Sequence, residues 1–512
     1  MDFMRLKKIK GKKWIVLYFI YCLNFLFFLL EILLLEPYWG EINLVFSGWV
    51  DIKINIVLIV ALITILPLIY GAILLTLKTR KIIEKNEIKP HLVNIILPIL
   101  LLVIYNALYL VLLDLLEDYK YVIFQVLEFY SIFFYLALDI GLILLLIPLV
   151  RFVPRIKDVV SERFLKREIK TKIIIIVFIL AYISSFTLPF FKVPANILYG
   201  PLSDKPLLIA HRGASHLAPE NTLKSAEMAL KYDEVVGIEM DVQISLDGVP
   251  FLMHDDDLKR TTNVESVFPE KEDQRACFFN ISELKQLDAG SWFVDEDPYG
   301  TITSGLVSRT EAESYRGIKI PTLEEILNFS RDHGLFVDLD LKGIPSTHPY
   351  YSDSKEIILN VTLKSGIDLN KVMISTQDSS FINLIKQLNA TAIILGYGGS
   401  PTIQEFRAAP YNYSYINTAD SYSNDEYRAL NAADIKVMVW TIDSTERYCE
   451  LWCLGVDWVK TNVPYKFNDL QNPIIYLSIE IYYTIWLSLI ASAIVLTIFL
   501  IRRKIIDFLN NF

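Results

Sequence analysis

The sequence predicts a multi-pass α-helical membrane protein carrying an α/β domain of the TIM-type (β/α)8 barrel class. Three observations lead there. The 512 residues are 53% hydrophobic with a mean hydropathy of +0.39, too apolar for a chain whose whole surface meets water. Long apolar runs crowd the two ends of the chain. Between them, residues 205–470 alternate short β-rich runs with helical ones, over a length close to the ~250 residues of a (β/α)8 barrel.

The chain opens with Arg5, Lys7, Lys8, Lys10, Lys12 and Lys13, then an apolar run at 14–35. That run can cross ~30 Å of hydrocarbon and no small-residue cleavage site follows it, which favours a span over a signal peptide. Further runs at 54–77, 92–113, 122–150, 173–191 and 474–501 bring the expected number of spans to six. Five lie in a membrane domain at 1–192 and one at 474–501, with a tail at 502–512. Lys and Arg crowd the loops after the second and fourth runs and the tail: Lys78 to Lys89, Arg151 to Lys172, and Arg502, Arg503 and Lys504. Alternate loops hold Glu36, Glu41, Asp114, Glu117 and Asp118. The positive-inside rule then expects both termini in the cytoplasm and 205–470 on the extracellular or lumenal side, at the plasma membrane. Sequons at Asn280, Asn328, Asn360, Asn389 and Asn412 all fall in that segment, as expected of a glycoprotein. Glu31, Glu128 and Asp139 lie inside the runs and are functional candidates by default, against the plainer reading that Glu31 and Glu128 hydrate near an interface. No basic partner accompanies them, so a transporter gains little support.

Eight strands are expected in the barrel, at 207–210, 237–242, 335–341, 372–375, 392–396, 415–417, 436–442 and 457–460. A ninth run, 249–254, follows the second strand too closely for a parallel crossover and must fold back as an antiparallel hairpin arm, bringing His254 roughly across from Glu239. Residues 255–317 form a long insertion on the side of the barrel where sites assemble, and Trp292 within it either lines a groove or packs under the loop. The net charge of −9 places its acidic excess in the central segment, so no nucleic-acid partner is expected. Cys22, Cys277, Cys449 and Cys453 are too few for a disulfide framework and show no zinc spacing.

The chemistry concentrates between residues 210 and 255. Glu239 and Asp241 are two apart on a strand, so both leave the same face, and a paired-carboxylate edge suits a hard divalent cation. On the third strand Asp338, Asp340 and Lys342 share a face, the last two nearest the carboxyl end. Alone, a His at a strand end is more often a hydrogen-bonded core or surface residue, and a Glu-x-Asp a solvated strand face. The ordered set outweighs those readings.

His211-Arg212-Gly213, Pro219-Glu220-Asn221-Thr222, Glu239-x-Asp241 and His254-Asp255, in that order, resemble the signatures of the glycerophosphodiester phosphodiesterase family. Residues 287–293, Trp440-Thr441 and Thr461-Asn462-Val463-Pro464 resemble it as well. The resemblance implies a phosphoric diester hydrolase acting on glycerophosphodiesters to give glycerol phosphate and an alcohol. Glu239, Asp241 and Asp340 would hold one Ca²⁺ or Mg²⁺. His211 and His254 would act as general acid and base, in an order left open. Arg212 and Lys342 would bind phosphate, and Trp440 would wall the alcohol pocket, with core packing an equal alternative. Family members typically carry Glu-x-Lys where this chain has Asp340-Leu341-Lys342, one methylene shorter. The layout further resembles six-span animal members whose catalytic domain lies outside the cell. These imply a lipid bilayer, a lipid-derived glycerophosphodiester and glycosylphosphatidylinositol (GPI)-anchored proteins as partners. Phospholipase-type release of GPI-anchored proteins, and a non-catalytic receptor or scaffold on a decayed barrel, are the alternatives.

Overall fold

The computed structural model describes residues 13–35, 39, 42–43, 55–83, 90–115, 126–136, 139–140, 143, 183–184 and 186–509. The chain divides into two compact units, Met1–Glu128 and Phe129–Phe512.

In the first unit, three apolar helices, α1 (Lys13–Leu34), α2 (Ile56–Ile83) and α3 (Val93–Leu115), pack together. Gly71 makes the α1–α2 approach possible, because a Cβ there would sit 2.5 Å from the Tyr21 ring. Interhelical hydrogen bonds run from Tyr18 Oη to the Asn94 carbonyl (2.9 Å) and from Asn106 Nδ2 to Asn24 Oδ1 (3.2 Å). Glu31 does not hydrate at an interface: it is 2% exposed and accepts the Tyr109 hydroxyl.

Among the described residues six spans are not found. Among the described residues four helices are long and apolar enough to cross a membrane, within Leu17–Leu34, Ile56–Lys78, Val93–Leu112 and Ile479–Leu500. The expected run at 173–191 lies largely outside the described residues, and the run at 122–150 partly so. Of the latter, Ile132 is 3% exposed and joins Ile197, Tyr482 and Trp486 in a buried cluster while Phe133 is exposed, and its described residues form no helix of spanning length. Apolar length alone does not separate such packing from a span. The six-span animal-type layout therefore falls, and with it the cytoplasmic termini, extracytoplasmic barrel and plasma-membrane placement read from it.

The second unit is built on a barrel. Its eight parallel strands are β2 (Leu207–His211), β3 (Val235–Ile244), β5 (Phe336–Leu341), β6 (Val372–Ser375), β7 (Ile394–Gly398), β8 (Tyr415–Ala419), β9 (Val437–Trp440) and β10 (Trp458–Thr461). Each pairs with the next, and β10–β2 pairing closes the ring. The short β4 (Pro250–Leu252) folds back antiparallel on the end of β3, with Val242 opposite Leu252, as the tight connection requires. Before and after the barrel, β1 (Ile197–Leu198) and β11 (Leu477–Ser478) pair in parallel, so both tethers meet beside the long helix Ile479–Leu509.

The helices around the ring form for local reasons. Leu323–His333 starts at Thr322, whose hydroxyl caps the Glu325 amide while Glu325 reaches back, and stops at Gly334 with φ of 68°. Its buried residues, Leu323, Ile326, Leu327 and Ser330, recur at helical spacing and cover the sheet. Inside the ring the side chains are layered. Ile209, Met373, Tyr415 and Met438 form a buried apolar floor with Phe336, Ile394 and Trp458 packed against it. Two residues further along the same strands, on the same face, come His211, Asp338, Ser375, Asn417, Trp440 and Lys460. The apolar floor thus carries a polar layer at the carboxyl ends of the strands.

Candidate active site

All eight residues singled out from the sequence, His211, Arg212, Glu239, Asp241, His254, Asp340, Lys342 and Trp440, line one cleft of about 330 Å³ at that end of the barrel. Strand register brings them together: His211 pairs with Glu239 across β2–β3, and Asp241 with Asp340 across β3–β5.

Glu239, Asp241 and Asp340 each offer an oxygen, and these lie within 4.8 Å of one another. Burial and the neighbouring Asp241 carboxylate push the Glu239 carboxyl well above its ordinary range, against the pull of Lys460. Three hard oxygen donors crowded until one resists ionising fit a divalent cation, whose charge would relieve that repulsion. Asp340 is half-exposed; burial raises its carboxyl, but the Lys342 and Lys460 ammonium groups and a hydrogen bond with Asp241 together outweigh burial and hold it below the usual range. Lys342 Nζ bridges Asp241 Oδ1 (2.8 Å) and Asp340 Oδ2 (2.6 Å). The shorter acidic side chain therefore still reaches the cluster.

Arg212 takes φ of +53°, a left-handed conformation that costs a non-glycine residue about 1–3 kcal/mol. Its surroundings enforce it. The Arg212 amide donates to Glu239 Oε2 (2.9 Å), and its carbonyl accepts from the Asn221 amide (3.0 Å) and the Ser225 hydroxyl (2.9 Å). Gly213 follows because a Cβ there would lie 2.3 Å from Ser225 Oγ. The guanidinium donates from Nη1 to Glu220 Oε1 (3.0 Å); its buried Nε, 3.3 Å from Asp241 Oδ2, makes no hydrogen bond and remains an unspent donor. Asn221 holds Asp241 from both sides, Nδ2 donating to Oδ2 (2.8 Å) and Oδ1 accepting the Asp241 amide (3.0 Å).

The two histidines are held differently. His211 Nδ1 lies 2.8 Å from Asn462 Oδ1, and Asn462 Nδ2 donates to Asp443 Oδ2 (2.6 Å). A carboxylate only accepts, so the amide cannot turn, and His211 Nδ1 must be the protonated nitrogen. Burial, then the Arg212 charge, lowers the imidazole to about 4, so it is neutral near pH 7 with a free lone pair on Nε2. His254 is more open, 35% exposed, and its Nδ1 lies 2.8 Å from Asp255 Oδ1. Asp255 Oδ2 in turn accepts Arg260 Nε (2.6 Å).

Trp440 is 41% exposed at the rim, opposite the packed alternative, and shares its wall with Ser375, Asn417 and Thr441. Beneath them the buried Lys460 contacts Asp338, which leaves Asp340 as the β5 carboxylate facing the cluster. Trp292 packs by its edge, Nε1 donating to the Ala289 carbonyl (3.0 Å), and does not line the cleft. All four cysteines are free thiols, with Cys277, Cys449 and Cys453 buried.

Several supporting residues gain a role only from the folded site. Glu220, Asn221 and Asp255 sit inside recognisable motifs, which is their signal in the sequence. Lys460 is signalled by a cation inside an apolar strand, between Val459 and Thr461. Asp443 and Arg260 have no signal of their own.

The profile of the Glycerophosphoryl diester phosphodiesterase family matches residues 211–466. The chain is 33% identical over 307 residues to glycerophosphodiester phosphodiesterase domain-containing protein 5 of Gallus gallus, covering 59% of this chain and 49% of that one. It is 34% identical over 319 residues to glycerophosphoinositol inositolphosphodiesterase GDPD2 of Mus musculus, covering 61% and 57%. The chain thus spans about half the length of the curated relatives it matches. Among solved structures, an Oleispira antarctica phosphodiesterase in complex with sn-glycerol-3-phosphate is 27% identical, with a TM-score of 0.41, covering 51% of this chain and 95% of that one. The family match takes in every strand from the end of β2 to β10 and all of the site just described, and the chain belongs to the glycerophosphoryl diester phosphodiesterase family.

Proposed function

We propose that the barrel hydrolyses glycerophosphodiesters to glycerol phosphate and an alcohol, assisted by one divalent cation, Ca²⁺ or Mg²⁺, held by Glu239, Asp241 and Asp340. The observation that carries this reading is the opposite preparation of two imidazoles on one cleft. His211 is buried, neutral and tautomerically fixed by Asn462, whereas His254 is open to the cleft with its Nδ1 held by the Asp255 carboxylate.

A bound cation would supply positive charge to a phosphate oxygen. The chain's own groups do the rest. Arg212 and Lys342, both on the cleft, neutralise and orient the phosphate. His211 Nε2 takes the proton from the attacking hydroxyl as its oxygen bonds to phosphorus. His254 gives its Nε2 proton to the leaving alkoxide as the phosphorus–oxygen bond breaks. The attacking oxygen is that of water, or of a neighbouring glycerol hydroxyl whose cyclic phosphate water then opens. Trp440, Ser375 and Asn417 face the departing alcohol.

The mouse relative's name assigns it glycerophosphoinositol, which makes a hydroxylated headgroup the first substrate to try. The test is product analysis. Full-length protein is incubated with glycerophosphoinositol, glycerophosphocholine, glycerophosphoethanolamine and a GPI-anchored protein. Divalent-dependent release of an alcohol or headgroup from a glycerophosphodiester supports the reading. No cleavage of any, by protein that binds the cation, overturns it; release of the anchored protein alone replaces it with the phospholipase-type reading.

A further inference from the structure

Arg260 lies at the start of the insertion and does not line the cleft, yet it joins the two halves of the site. Its Nε donates to Asp255 Oδ2 (2.6 Å), while Nη1 and Nη2 form a fork onto Glu220 Oε2 (2.9 Å) and Oε1 (2.7 Å). Asp255 holds His254, and Glu220 holds Arg212, which in turn reaches Asp241. An unbroken chain of charged contacts therefore runs from His254 through Asp255, Arg260 and Glu220 to Arg212.

We propose that Arg260 is a positioning residue for the leaving-group acid: it fixes the Asp255 carboxylate, and through it the aim of His254, while setting how much of Glu220 is left for Arg212. This rests on the reading of His254 as the acid. The backbone of this segment is already anchored, because the buried Gln243 donates from Nε2 to the carbonyls of Met253 (3.2 Å) and Asp255 (2.7 Å). What remains undetermined without Arg260 is the Asp255 side chain, which is 25% exposed and otherwise free to swing toward water. Glu220 is 4% exposed and accepts both guanidinium groups on Oε1. Without Arg260, its buried charge would fall to Arg212 alone and draw that side chain away from the phosphate site. Only a planar guanidinium satisfies two carboxylates in three fixed directions; an ammonium offers a point charge. The Trp292 ring, 5.8 Å from Arg260 Cζ, gives the guanidinium a flat wall.

The plain alternative is that Arg260 merely staples the insertion to the barrel. The two readings part on leaving-group dependence. In the acid step the proton on His254 Nε2 passes to the alcohol oxygen as its bond to phosphorus breaks, so a nitrophenolate, which leaves without a proton, does not need it. Wild type, His254→Ala, Arg260→Gln, Arg260→Lys and Asp255→Asn are compared on glycerophosphocholine and on a glycerol p-nitrophenyl phosphodiester. Arg260→Gln should lose about 10–100-fold in kcat on the choline ester and about threefold or less on the nitrophenyl ester, a share of the 10²–10⁴ a general acid contributes. Arg260→Lys should recover only part, and Arg260→Gln with Asp255→Asn should cost little more than either alone. Equal losses on both esters, or full rescue by Lys, overturn the proposal. Should Arg260→Gln fail to fold, Asp255→Asn alone decides by the same ratio. A wild type inactive on both esters, or a His254→Ala without leaving-group selectivity, would instead defeat the underlying reading, and the proposal with it.

Discussion

Replacing Lys460 with Met should unfold the barrel more readily than any change at its rim. Lys460 is 6% exposed and Asp338 2%, and they face each other across the barrel interior between β10 and β5. Asp338 has no other cation in contact among the described residues, so Lys460→Met leaves a carboxylate buried without its counter-charge. Breaking a buried ion pair by removing one partner costs about 3–5 kcal/mol. For a domain of this size each kcal/mol moves the midpoint by roughly 2–4 °C, so the expected fall is roughly 6–20 °C. The same physics expects a reversal. Lys460→Met with Asp338→Leu replaces both charges by apolar groups above the floor of Ile209, Met373, Tyr415 and Met438, and should return to within about 1–2 kcal/mol of wild type. The assay is thermal unfolding of detergent-solubilised full-length protein, followed by circular dichroism. A single mutant that melts with wild type, or a double mutant that falls by the sum of the singles, would refute the reasoning.

His211→Ala and His254→Ala should each lower kcat on a glycerophosphodiester by about 10²–10⁴-fold with unchanged melting; more than about a tenth of wild-type rate in either removes that residue from the chemistry. Asn462→Ala should cost about 10–100-fold through kcat, because His211 loses the acceptor that fixes its tautomer, and steady-state rates that match wild type would contradict this. Asp340→Ala should shift the divalent-cation requirement for activity upward by about tenfold or more, whereas Asp340→Glu should retain or tighten it; an unchanged titration in Asp340→Ala would exclude it as a ligand. Burial raises the Asp255 carboxyl, but hydrogen bonds from His254 and Arg260 outweigh it and hold it far below the ordinary ~3.9. A depressed folded-state value adds stability above about pH 4 that is lost as pH falls further, so the melting gap between wild type and Asp255→Asn should narrow from about pH 5 to about pH 3.

Much of the barrel and its site is legible in the sequence, for reasons of period and proximity. A strand puts Glu239 and Asp241 on one face whatever surrounds it, and a connection too short to cross over makes β4 antiparallel. The eight strands lie where the apolar runs lie, with the run at 392–396 appearing two residues later as Ile394–Gly398. What stays hidden is held by distance along the chain. Asn462 supports His211 from 251 residues away, and no local pattern marks Asp443 as its brace. Arg260 reaches back 40 residues to Glu220, a pairing that only the folded insertion creates. The six-span expectation fails for a different reason: hydropathy measures how apolar a run is, not whether it forms one continuous helix, and among the described residues only four helices are long and apolar enough to cross a membrane.

One cation held by Glu239, Asp241 and Asp340 would make this cleft a phosphodiesterase. The most direct measurement is the rate of glycerophosphodiester hydrolysis by chelator-stripped full-length protein as Ca²⁺ or Mg²⁺ is returned, in wild type beside Asp241→Asn. The expected result is a wild type silent without metal, restored along a saturable curve, and an Asp241→Asn that stays silent or needs far more cation. Full activity after stripping, or an Asp241→Asn that follows the wild-type curve, would contradict it.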